Sequence, residues 1–183
     1  MTKLIPPHGG YAGLKTYQSA EIVYDATVVF CDRWIDCRSR THNQMVQAAR
    51  SGKQHIADGS MASDTSKKLE LKLVGAARAN LEELMLDYGD FLRQRGLTTW
   101  HKGDPRAAIV RSLAYAPDRS YETYRTYIEN QSAEIAANTL LCLNHQANYL
   151  LDQLLRQLEQ QFLAEGGCTE PLHRVGPDDR AAP

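Results

Sequence analysis

Residues 63–95 read SDTSKKLELKLVGAARANLEELMLDYGDFLRQR. Leu69, Leu73, Ala77, Leu81, Leu84, Tyr88 and Phe91 recur there at steps of three and four. At about 100° per residue these positions fall on one side of an α-helix, and no period-two alternation competes with them. No proline interrupts the stretch, and Gly96 follows it as a helix-stopping residue. A helix this long with one apolar side needs partner helices of similar length to cover that side.

The flanking sequence supplies them. After Pro6-Pro7 there is no proline until Pro105, and after Pro117 none until Pro171. Ala20, Val23, Thr27, Phe30 and Trp34 mark a first helix over about 16–36. Thr41 with Gln44 three residues on matches a capping box and opens a second helix. That helix carries Met45, Ala49, Gly52 and Ile56 on one face, and Gly59 is expected to close it. Residues 97–120 read as irregular, with a short helix capped by Asp104 and started by Pro105. A last long helix starts near Tyr121 or Ser132, runs to Ala164, and carries Leu140, Leu143, Ala147, Leu150, Leu151, Leu154, Leu155, Leu158 and Phe162. The expected architecture is all-α: an antiparallel up-down-up-down four-helix bundle with an inserted irregular segment between helices three and four. Residues 1–15 form an N-terminal extension, 16–165 the bundle domain and 166–183 a flexible C-terminal tail. Adjacent leucines at 140/141, 150/151 and 154/155 widen the apolar face of the last helix. A face that wide fits a central helix or one half-covered by a second subunit.

Of 183 residues, 43% are hydrophobic and 23% charged, which fits an ordinary globular domain. No apolar run approaches the roughly 18–20 residues of a membrane span. The first residues lack the pattern of a secretory leader, so the expected location is cytoplasmic. Cys31, Cys37, Cys142 and Cys168 form no C-x-x-C pair, and Cys31 and Cys142 read as small core residues. A di-iron bundle would need Glu-x-x-His on two helices, which no Glu here supplies. There is no phosphate-binding glycine loop, no nucleophile elbow and no H-E-x-x-H, and the six histidines are scattered. The reading is therefore non-enzymatic, with no catalytic residue, no metal and no cofactor. The acids Glu82, Glu83, Asp87 and Asp90 read as a solvated helix face or partners for Arg78 and Arg93.

The net charge of −1 excludes a uniformly basic binder of nucleic acid, yet it hides a split. Residues 37–57 carry Arg38, Arg40, Arg50 and Lys53 with no acid, so the other 162 residues sum to −5. Residues 121–165 hold two cations and six acids. Such polarisation is one footprint of a phosphate-binding surface, and Arg38, Arg40, Arg50 and Lys53 are the candidates for it. With no aromatic residue among them, they would contact phosphates without reading bases. The same split can instead serve contacts between subunits or with a protein partner, with Arg50 in an intersubunit ion pair.

The stretch Arg40-Thr41-His42-Asn43-Gln44-Met45-Val46-Gln47-Ala48-Ala49-Arg50-Ser51-Gly52-Lys53-Gln54-His55-Ile56-Ala57-Asp58-Gly59 resembles the signature of the four-helix bundle proteins of ribosomal-RNA intervening sequences. Gln44, Ala48, Ser51, Ile56, Ala57 and Gly59 match its pattern by position. Ala76 to Leu84, and Asp87-Tyr88-Gly89-Asp90-Phe91-Leu92-Arg93, look like the third helix of the branch called the four-helix bundle suffix domain. His55 stands where that pattern has Asn, Asp58 where it has Glu, and Asn80 where Ser is usual. The resemblance implies an up-down bundle assembled as a homo-oligomer, typically a homopentamer. It also implies a more distant link to the accessory variability protein of diversity-generating retroelements, which binds nucleic acid and a reverse transcriptase. The expected function is an oligomeric nucleic-acid-binding or accessory protein, with a structural protein–protein module as the alternative. The expected partners are copies of the chain itself, RNA or DNA through phosphates, or another protein, with no membrane.

Overall fold

The part of the apolar stripe from Ala77 to Phe91 lies in the core. In the computed structural model, which describes residues 10–164, Leu81, Leu84 and Tyr88 have no exposed surface. Six α-helices follow a short 3-10 turn at Gly10–Gly13: α1 (Lys15–Trp34), α2 (Arg40–Ala62), α3 (Lys67–Gln94), α4 (Pro105–Ser112), α5 (Tyr121–Glu129) and α6 (Ala133–Ala164). No strand occurs among the described residues. None of the described helices is long and apolar enough to cross a membrane. The tail after 165 lies outside the described residues.

Each of the four long helices packs on two others, α2 on α1 and α3, and α6 on the same pair. At the α2–α3 seam Gly59 faces Val74, His55 meets Asn80 and Gly52 faces Leu81. Between α3 and α6, Arg78 donates to Asp152 at 2.9 Å and Asn148 to Met85 Sδ at 3.3 Å. Between α1 and α2, Lys53 lies 4.0 Å from Glu21 and His42 2.9 Å from Asp32. At each seam, positions rise on one helix as they fall on its neighbour. Phe30 sits edge-on to Tyr88 and Phe91, with ring centres 5.1 and 4.8 Å away. The Tyr88 hydroxyl donates to Thr27 Oγ1 at 2.9 Å, and that hydroxyl donates to the Val23 carbonyl at 2.6 Å. A buried chain of this kind leaves no orphan at the aromatic centre.

Several helix ends differ from the sequence expectation. The N-cap of α2 is Ser39, whose hydroxyl accepts from the His42 backbone N–H at 3.1 Å, so Thr41 is already helical. Both residues fit a capping pattern, and the turn at Asp36–Ser39 settles the choice by setting Ser39 in extended geometry. Ser39→Ala is expected to cost about 1 kcal/mol in a urea titration, whereas exposed Thr41→Ala should change stability by less than about 0.5 kcal/mol. Gly59 does not end α2, which continues to Ala62. A Cβ at Gly59 would lie 3.3 Å from Val74 Cγ2, so this glycine serves the close approach of α3. Ser66 caps α3 by accepting from the Leu69 N–H at 3.2 Å, and Leu69 is 44% exposed because it lies in that first turn. Gly96 does end the helix, with φ of +63°.

The segment between α3 and α6 is more ordered than expected. Asp104 caps α4, with Pro105 at its first position. Ser120 and Thr123 form a capping box for α5, and Asn130 ends it before α6 begins. Arg119 ties the segment down, donating to Tyr124 Oη at 2.8 Å, Ser19 Oγ at 3.0 Å and Gln146 Oε1 at 3.2 Å. Asn138 of α6 accepts from the Trp100 N–H at 2.7 Å and donates to the Thr98 carbonyl at 2.8 Å. α4 and α5 both pack on α6. Much of the wide apolar face of α6 is thus covered within the chain.

Candidate nucleic-acid interface

α2 places its residues by rotation. At about 100° per residue, Gln44 and Ser51 come within about 40° of Arg40, while Arg50 is turned about 80° away and Lys53 about 140°. The structure follows this order. Beside α2, on the side facing the middle of α3, runs a groove of about 920 Å³. Its lining includes Arg38 and Arg40 at one end and Asn80 and Glu83 from α3. Gln44, Ala48 and Ser51 line it from α2, so three of the motif residues share one surface. The other three motif residues serve packing: Ile56 is 1% and Ala57 5% exposed, and Gly59 is buried against α3.

The four predicted phosphate-contacting cations separate. Arg38, in the loop before α2, and Arg40, the first residue of α2, are exposed on the groove. Arg50 is exposed outside the groove lining. Lys53 turns toward α1, where its ammonium lies 4.0 Å from Glu21 and 4.8 Å from the centre of the Tyr24 ring. Burial raises the nearby Asp25 carboxyl, and Lys53 partly opposes that rise. Lys53 is therefore withdrawn from the candidate surface. Its direction depends on Tyr17, Glu21 and Tyr24, which lie a whole helix earlier in the chain.

Among the described residues, ion pairs hold some cations and leave others, exposed Lys68, Lys72, Arg95, Lys102 and Arg156 among them, without a carboxylate. Lys67 pairs with Glu70, Arg93 with Asp90, Arg106 with Asp104, and Arg125 with Glu122. Arg78 holds both Glu82 and Asp152. Among the described residues, no carboxylate lies within 4.0 Å of the guanidinium of Arg38, Arg40 or Arg50. Asp36 approaches Arg38 only at the backbone, accepting its N–H at 2.9 Å. Unpaired guanidiniums at the surface are solvated and free to take an external anion. The neighbouring acids behave differently from one another: Arg78 and Arg93 engage Glu82 and Asp90, while Glu83 stays exposed on the groove. Burial raises the Asp87 carboxyl, and the charges of Glu83 and Asp90 raise it further.

Sequence reading missed the α3 side of this groove. Glu83 and Asn80 join it because Gly52 lets α3 approach α2; a Cβ there would lie 2.8 Å from Leu81 Cδ2. Asn80 of the groove also meets α2 outside the lining: its Nδ2 lies 3.1 Å from His55 Nδ1. Among the described residues no three His, Cys, Asp or Glu side chains converge to hold a metal ion. Comparisons of the chain with family models, with curated proteins and with solved structures returned no match.

Proposed function

We propose that this chain is a non-enzymatic, homo-oligomeric four-helix bundle protein that contacts nucleic acid through phosphates held by Arg38, Arg40 and Arg50. In this reading α1, α2, α3 and α6 are the up-down-up-down helices of a bundle of the kind found in ribosomal-RNA intervening sequences. The opposed running of contacts at the three seams supports that topology. Self-assembly, as a ring of five, is what the resemblance to those proteins implies. A ring would repeat the three arginines once per subunit and raise affinity for a polyanion by multivalency.

The single observation that carries the nucleic-acid reading is that these three guanidiniums, none with a carboxylate partner among the described residues, lie together in residues 37–57, a stretch without an acid. Labelled single-stranded RNA and DNA, titrated by fluorescence anisotropy at about 50 mM salt, should bind, with affinity falling as salt rises. Absence of binding at that salt contradicts the proposal. In parallel, Arg40→Glu/Arg50→Glu should keep the oligomer mass measured by light scattering while losing nucleic-acid binding. A reduced mass would instead place these arginines at a subunit contact and favour the protein–protein module.

A further inference from the structure

We propose that the groove beside α2 takes an unpaired, guanine-containing stretch of nucleic acid, with phosphates on Arg38 and Arg40 and the guanine edge on Glu83. The inference rests on the nucleic-acid reading above and adds to it a strand state and a base. Glu83 is exposed on the groove lining, and no hydrogen bond or ion pair holds it among the described residues, although Glu82 beside it is held by Arg78. Water satisfies this exposed carboxylate, but it accepts hydrogen bonds and donates none, so a ligand that displaces that water must supply donors in its place, which a phosphate cannot.

Among the bases, guanine supplies them best. Its Watson–Crick edge places N1–H next to the N2 amino group, two parallel donors that a carboxylate can accept together, as it accepts the fork of an arginine. Cytosine offers one amino group beside an acceptor nitrogen. Adenine does likewise. Uracil and thymine offer one N3–H between two carbonyl oxygens that a carboxylate repels. In a duplex these donors are spent on base pairing, so the edge is available only in a single strand.

The dimensions fit. From Arg40 to Ser51 the α2 wall extends about 16 Å at 1.5 Å per residue, less than half of a duplex turn of about 34 Å. Gly52 faces Leu81, so Glu83, two residues further along α3, lies toward the Ser51 end, away from Arg38 and Arg40. The wall between these ends includes Ala48 and Ser51, short side chains that leave room for a base. Gln47 Nε2 donates to Ser51 Oγ at 3.1 Å, which fixes one rim. Gln44 makes no side-chain hydrogen bond among the described residues and can donate to the guanine O6.

The test uses short labelled oligouridines that are all uridine, or carry one guanosine or one cytidine at the centre, titrated by anisotropy at fixed salt against the full chain. The guanosine strand should bind about tenfold more tightly than the all-uridine strand. Glu83→Ala should remove that ratio while leaving uridine binding equal or tighter, because a repelling charge is gone. Glu83 is exposed and unpaired among the described residues, so the variant is expected to fold, and circular dichroism checks it. Equal affinity for the three strands overturns the inference and leaves the phosphate-binding reading intact. A guanosine preference that persists in Glu83→Ala, or tighter binding of the strand once annealed to its complement, also overturns it. No binding of any strand fails the function itself.

Discussion

Tyr88→Ala should remove about 3–5 kcal/mol of stability, the range for deleting a large buried aromatic. Tyr88 has no exposed surface and lies edge-on to Phe30, which also meets Phe91, so its ring joins α1 to α3 at the centre of the core. The hydroxyl adds a second loss. It donates to Thr27 Oγ1, which would be left with an unfilled acceptor in a dry site. Tyr88→Phe isolates that part and should cost about 1 kcal/mol. Single domains are stable by only about 5–15 kcal/mol, so the alanine variant should be close to unfolding. Urea titration followed by circular dichroism gives both numbers. Equal losses for the two variants would mean that the ring packs against nothing rigid.

Gly52→Val is expected to cost about 1–3 kcal/mol through overpacking. A Cβ at Gly52 would lie 2.8 Å from Leu81 Cδ2 and 3.1 Å from Leu81 Cγ. Leu81 is fully buried, so it cannot rotate out of the way. Valine adds two further carbons at that point. The comparison is Gly89→Ala, also inside a helix, where nothing lies within 4 Å of the added Cβ. That change should stabilise by about 0.5–1 kcal/mol, because alanine loses less backbone freedom than glycine. Opposite signs at two helical glycines would establish Gly52 as the point where α2 and α3 close together. The same closeness brings Asn80 and Glu83 to the groove, so the stability measurement also checks the geometry of the candidate site.

Much of the helical framework was legible because it is written in local patterns. The stripe from Leu81 to Phe91, the Pro105 start and the Gly96 stop each act within a turn or two. Cys31 and Cys142 are buried as their apolar neighbours implied, and burial pushes the Cys31 thiol up to about 12. What was illegible depends on contacts between distant residues. Gly59 looks like a helix stop by type, yet its use is set by Val74 on the next helix. Lys53 looks like its neighbour Arg50 until Glu21 and Tyr24 are brought alongside it. The break at Asn130 carries neither glycine nor proline, so Tyr121 and Ser132 were equally good starts for the last helix. At the candidate site, the charge pattern names Arg38 and Arg40, which line the groove, together with Arg50 and Lys53, which do not, while Gln44, Ala48 and Ser51 are named only through the family resemblance. The α3 half could not be read, because Glu83 reads as one more solvated acid until the fold sets it on the groove near Ser51.

Three unpaired arginines acting on phosphates should leave their mark in the salt dependence of binding. For single strands, each phosphate that a cation neutralises adds about 0.7 to the steepness of log affinity against log salt. The measurement is that slope for the wild-type chain and for Arg38→Ala/Arg40→Ala/Arg50→Ala, by anisotropy on one single-stranded RNA. The predicted result is a slope shallower by about two units in the variant, with weaker binding at every salt concentration. An unchanged slope and affinity in a folded variant would contradict the phosphate-binding role of these arginines.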